Sequence, residues 1–177
     1  MSDVVVVYES MFGDAKNVAL AIGAGLAAAG SVDCIEVGVA PTSFPVDLRL
    51  LVVGSPNHGF SLPRESSREQ AREKSDQPLV SAGIGVREWL KQLERPHSGA
   101  SAVTFDTRMS HPKTLTKLDH ASHSSAHALK GLGYALLTKS EHFLVTDVTG
   151  PLADGELERA RSWGAQLAEL LGDTSAR

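Results

Sequence analysis

Cysteine is almost missing from this chain of 177 residues: Cys34 stands alone, so neither an intramolecular disulfide framework nor a cysteine-rich zinc site can form. Positive charge is not in excess either. With 17 Lys+Arg against 21 Asp+Glu the net charge is −4, which removes the broad attraction that non-specific nucleic-acid and anionic-membrane binding depend on. A long apolar run is lacking at the start. Val4 to Val7 is far too short to span a bilayer, and Asp3 stands where a secretion signal carries its basic region, so a cytoplasmic protein is expected, without membrane or nucleic-acid partners. No internal repeat, low-complexity tract or interdomain linker is visible. What is present is an ordinary globular composition, 42% hydrophobic and 21% charged. The length suits one domain, expected over residues 1–172 with a short tail at 173–177.

Val4 to Tyr8 is short, apolar and β-branched, as in a strand buried on both faces. Beyond the turn Ser10 to Asp14, the residues Ala15, Val18, Ala19, Ile22 and Leu26 recur at steps of three and four, predicting a helix that Gly30 stops. Val32 to Val37 and Leu48 to Gly54 read as a second and a third strand, with Cys34 a small core residue. Val86, Trp89, Leu90 and Leu93 keep helical spacing as far as Pro96, which makes Trp89 a core anchor. Ala100 to Phe105 is a fourth strand ending in Asp106-Thr107-Arg108, and a helix follows from about Ser122 to Leu132. Phe143 to Val148 is the fifth strand, with Tyr134 to Leu137 a short extension. A last helix opens at Pro151 and Asp154 and buries Leu157, Ala160, Gly164, Leu167 and Leu171. Five strands interleaved with helices predict a three-layer, doubly wound α/β fold with a parallel sheet.

In such a sheet ligands bind beyond the carboxyl ends of the strands, so the candidate loops are Glu9 to Ala15, Ser55 to Phe60 and Asp106 to Ser110. The first joins a buried strand to a helix N-terminus through Gly13, where backbone N–H groups and the positive helix end converge on an anion. The alternative is a plain turn in which Asp14 caps the helix. In the second, Pro56-Asn57-His58-Gly59-Phe60 offers a bend, polar edges and two flat rings; equally, Phe60 tucks into the core and His58 is merely exposed. In the third, Asp106, Thr107 and Arg108 offer hydrogen-bonding groups, or else Arg108 and Asp106 form a surface ion pair of little worth.

The stretch VVVVYESMFGDAKNVALAIGAGL resembles the FMN-phosphate loop and first helix of flavodoxins, and LLVVGSPNHGF and AVTFDTR resemble the two loops that hold the isoalloxazine ring in that family. GPLADGELERARSWGAQL is similar to the ending of flavodoxin-like proteins of this length. The resemblance implies strand order 2-1-3-4-5 and FMN as an electron carrier. It places the phosphate on Ser10, Met11, Phe12, Gly13, Asp14 and Ala15, and the ring between Pro56, Asn57, His58, Gly59 and Phe60 on one side and Asp106, Thr107 and Arg108 on the other. Electrons would pass to a redox partner protein or a small quinone-like acceptor, as in a carrier or an NAD(P)H:quinone reductase. No catalytic residue is implied, because the flavin carries the electrons.

The first loop departs from the family at three positions. Hydroxyl residues are usual where Ser10, Phe12 and Ala15 stand, and a neutral Asn is common where Asp14 stands. Like charges about 4 Å apart repel by roughly 1 kcal/mol in water and roughly 4 at an effective dielectric of 20; each missing hydroxyl removes another ~0.5 to 1.5 kcal/mol. The second reading is therefore a flavodoxin-fold protein with a degenerate phosphate loop, acting as a binding or regulatory module.

Other motifs are set aside. Residues 64–77, RESSREQAREKSDQ, have Ala71 as their only apolar member and read as a solvated loop or frayed helix, or as a flap beside a ligand site. His120, His123 and His127, with His111 nearby, would share a helix face, and a polar exposed face is expected there rather than a metal site. Gly83-Ile84-Gly85 lacks a third glycine and a preceding strand, no Gly-Lys-Ser/Thr loop or Gly-x-Ser-x-Gly elbow occurs, and Gly54-Ser55-Pro56 stands where a phosphoacceptor domain needs Asp.

Overall fold

A computed structural model describes residues 2–57, 61–97, 99–109 and 121–175. The chain runs β1 (Val4–Tyr8), α1 (Asp14–Leu26), a 3-10 turn (Ala27–Ala29), β2 (Val32–Glu36), a second such turn (Val37–Val39), β3 (Leu50–Pro56), α2 (Glu65–Glu73), α3 (Val86–Gln92), β4 (Ser101–Met109), α4 (Ala121–Leu132), β5 (Ala135–Leu136), β6 (Glu141–Val145) and α5 (Glu156–Ser175). The sheet order is β2-β1-β3-β4-β5, with β6 also paired to β4; these strands pair in parallel, and Val145 at the end of β6 makes one isolated antiparallel bridge to Leu152. This is the doubly wound α/β architecture and the 2-1-3-4-5 order expected above.

The continuous apolar character of β1 has a direct cause. The strand lies between β2 and β3, and successive side chains leave opposite faces, so both parities are buried. Val5 and Val7 join Leu51, Val53, Trp89 and Leu129 in one core, while Val4 and Val6 join Leu50, Val52, Ile22 and Leu167 in the other. Burying each valine fully contributes roughly 1.5–3 kcal/mol. Trp89 is the anchor expected: it is wholly buried, donates from Nε1 to the Pro41 carbonyl at 3.0 Å and meets Phe44 edge-on. On the other face α1 buries the predicted stripe and packs on α5. A Cβ on Gly164 would collide with the Ile22 carbonyl, so the two helices approach to backbone contact.

Several boundaries differ from expectation. The third strand is Leu50–Pro56 rather than Leu48–Gly54, and β2 stops at Glu36 because Val37 turns into the 3-10 segment. The fourth strand runs on to Met109, since Ser55 and Pro56 of β3 pair with Asp106 and Thr107; residues 106–108 are strand, not loop. The fifth sheet position is shared: β5 pairs with Ser101 and Ala102, and β6, at Glu141–Val145 instead of Phe143–Val148, pairs with Phe105 to Met109. Between these pairings the Thr104 hydroxyl donates to the Ser122 carbonyl at 3.0 Å and lies 2.7 Å from the Ser140 hydroxyl. In the last helix Leu157 is exposed, and Glu156 is buried instead because its carboxylate accepts from the Leu144 N–H and from Arg159. Cys34 is half-buried on the edge strand rather than in the core, and burial pushes its thiol up to about 11. Among the described residues no helix is long and apolar enough to cross a membrane.

Candidate functional site

At the carboxyl end of β1 the chain enters Glu9, which is fully buried. Its carboxylate accepts from the Val86 N–H at 2.9 Å, at the start of α3, and from Arg68 Nη1 at 3.4 Å. Arg68 in turn pairs with Glu88 at 3.1 Å. Burial pushes the Glu9 carboxyl up to about 7, against the opposing pull of Val86 and Arg68. Arg68 lies on α2, inside the charged segment read from sequence as a solvated loop or frayed helix, or as a flap beside a ligand site. The segment is helical there and buries one ion-paired arginine and Ala71 instead of an apolar stripe.

The turn that follows is fixed from both sides. Ser10 exchanges bonds with Ser81: its N–H donates to the Ser81 hydroxyl at 2.9 Å, and its carbonyl accepts from the Ser81 N–H at 2.8 Å. Val80 N–H donates to the Met11 carbonyl at 3.0 Å, and Met11 packs with Ala71 and Leu79, with Phe12 against that cluster. The Ser10 hydroxyl accepts from the Gly13 N–H at 3.2 Å and closes the turn. Gly13, not Asp14, is the helix cap, at φ 109 in the left-handed region that favours glycine. Asp14 is the first helical residue. Its carboxylate accepts from the Leu152 N–H and lies against Gly150, where a Cβ would collide with it, so it is neither a cap nor turned out to solvent. Burial raises its pKa, and the Leu152 bond pulls the other way. The N–H groups of Asp14, Ala15 and Lys16 open the helix and have no intrahelical acceptor.

At the end of β4, Asp106 and Arg108 leave the same face of the strand and form a bidentate pair, Nε to Oδ1 and Nη2 to Oδ2, both at 2.7 Å. This pair is buried, with Asp106 fully enclosed, and not the surface pair that was the alternative. Asp106 Oδ2 also accepts from the Ser122 N–H at 3.3 Å and lies 3.2 Å from His142 Nδ1. Burial alone would raise this carboxyl, but the bonds from His142 and Arg108 outweigh it and hold it at about 2. One strand over, the Asn57 N–H donates to the Thr107 carbonyl at 2.9 Å, so these two backbone groups bind each other.

These segments surround one cavity of about 430 Å³, a size within the range of small-molecule and cofactor sites. Ser10, Met11, Phe12, Asp14 and Ala15 line it from the first loop, Pro56 and Asn57 from the second, and Thr107 and Arg108 from β4. Gly13 and Asp106 do not line it; they shape the loop and hold Arg108. Phe12 forms part of the wall and leaves the space open. His58, Gly59 and Phe60 lie outside the described residues, as do His111 and His120. The rest of the wall is Ser67, Gln70 and Ala71 of α2 and Lys74 at its C-cap, within the segment whose alternative reading was a flap beside a ligand site, together with Met109, Val145 and Val148, which sequence reasoning missed. Ser67, Gln70 and Lys74 stand at i, i+3 and i+7, a helical-face signal hidden among charges. Val145 ends β6, where the carboxyl-end rule already pointed. His123 and His127 are exposed on α4, and no three His, Cys, Asp or Glu side chains among the described residues stand together as a metal site.

No family model and no curated protein matches the chain. Solved structures do. A flavodoxin from Streptococcus pneumoniae aligns with TM-score 0.63 at 15% identity over 97% of this chain and 98% of that one. The oxidised flavodoxin 2 of Bacillus cereus aligns with TM-score 0.62 at 16% identity over 94% and 97%. A flavodoxin, WrbA-like protein from Agrobacterium tumefaciens aligns with TM-score 0.57 at 16% identity over 98% and 99%. The fold is flavodoxin-like. At these identities the likeness establishes the architecture alone, and the chemistry rests on this chain's own residues.

Proposed function

We propose that the protein binds FMN in the cavity at the carboxyl edge of the sheet and acts as a flavin-dependent electron-transfer protein. The observation that carries this reading is the convergence of three separate segments, Ser10 to Ala15, Pro56–Asn57 and Thr107–Arg108, on one cavity of about 430 Å³. The residues fit the group in two respects. The first-turn N–H groups of α1 are open to an anion at the helix start whatever the side chains are, and Arg108, fixed by its two bonds to Asp106, lines the wall at the end of β4. When bound, the flavin supplies the redox chemistry. The chain binds and orients it, and Phe12, Met109, Val145 and Val148 limit the access of water. Electrons pass to a redox partner protein or a small quinone-like acceptor, and the protein works in the cytoplasm.

One observation favours a second reading, a flavodoxin-fold binding or regulatory module without cofactor: Asp14, an acidic residue, lines the cavity at the helix start. Titrating the purified protein with FMN and following flavin absorbance and fluorescence separates the two. Saturable binding supports the first, and its absence supports the second. With FMN bound, reduction by NADH marks a reductase, and no reduction marks a carrier.

A further inference from the structure

Resting on that reading of the cavity, we propose that Lys74, at the C-cap of α2, takes the place of the loop's missing hydroxyls and selects a phosphorylated ligand over its unphosphorylated parent. The first loop offers a dianion little from its side chains. Ser10 Oγ accepts from the Gly13 N–H, which leaves its O–H as the loop's one neutral side-chain donor; Phe12 and Ala15 have no polar side-chain group, and Asp14 is a carboxylate. A phosphate beside α1 therefore needs a cation from elsewhere to offset Asp14. The charged groups on the described wall are Asp14, Lys74 and Arg108. Arg108 is committed to Asp106 through both forks of its guanidinium. Lys74 makes no ion pair with any described residue.

Lys74 is also on the right side of the cavity. Ala71, one turn before it, packs on Met11 of the first loop, and Arg68, one turn earlier again, reaches Glu9, the residue before Ser10. Two independent contacts thus fasten α2 to the first loop and carry Lys74 to the cavity beside it. Ser67 lines the same wall, but its hydroxyl accepts from the Arg64 N–H and donates to the Arg64 carbonyl, so it caps α2. Lys74 is exposed and closes the helix through its backbone, so a substitution there removes charge without opening the core.

The test measures dissociation constants for FMN and for riboflavin, which lacks the phosphate, in the wild-type protein, Lys74→Gln and Lys74→Arg. The expected result is that Lys74→Gln weakens FMN binding roughly tenfold, the usual scale for losing a charge-assisted hydrogen bond, and leaves riboflavin unchanged. Lys74→Arg should restore FMN binding. Equal effects on both flavins, or FMN binding indifferent to Lys74, overturn this inference while the FMN site stands. Absence of saturable binding of either flavin to the wild-type protein overturns the FMN site, and this inference with it.

Discussion

Arg68 reaches from the middle of α2 to within 3.4 Å of the Glu9 carboxylate, both side chains enclosed by protein, and so ties the most charged stretch of the chain to the end of its most apolar strand. A fully buried acid with one long ion pair and one backbone donor is poorly compensated for the water it has lost.

Glu9 should therefore make stability fall as pH rises. Its folded carboxyl sits at about 7, against an ordinary 4.5, so between these values the folded state holds a proton that the unfolded chain has released. The contribution is fully present below about pH 4.5 and lost as pH rises through about 7, on the order of 3 kcal/mol in all. Urea midpoints measured from pH 5 to 8 should fall more steeply in the wild-type protein than in Glu9→Gln; parallel curves would show that this carboxyl does not titrate there.

Asp106 has the opposite sign. Its folded carboxyl lies at about 2, below an ordinary 3.8, so the pair with Arg108 stabilises fully above about pH 4 and is lost as pH falls toward 2. At neutral pH Asp106→Asn strands a buried guanidinium and should cost about 3–5 kcal/mol. Denaturation of both proteins should show that gap at pH 7 and closing curves below pH 4.

Gly164 permits α5 to lie on α1 at backbone distance. Gly164→Ala forces the helices apart and should destabilise by about 1–3 kcal/mol, while Gly172→Ala, whose Cβ meets nothing, should be neutral or stabilising. Thermal melts of the two variants compare helix packing with helix propensity.

Asp14→Asn combined with Ala15→Thr removes a carboxylate and adds a hydroxyl on the cavity wall. FMN affinity should rise about tenfold or more, read by fluorescence titration. Unchanged affinity would mean that these side chains do not reach the phosphate.

The sequence by itself determined the layered fold. An apolar run buried on two faces, the Ala15 to Leu26 stripe and Trp89 at helical spacing are local patterns, and local patterns report burial. It also marked the three segments around the cavity, because parallel strands put their ligand loops at one edge. Only the tertiary structure decided how charge is arranged there. Whether Asp106 and Arg108 lie on the surface or inside, whether Asp14 caps its helix or reaches Leu152, and whether α2 floats or is held by Glu9 all depend on residues far apart in the chain. The physical reason is that burial of an apolar side chain is nearly non-directional and is written into periodicity, whereas a buried charge is stable only beside one particular partner, which the fold alone brings to it.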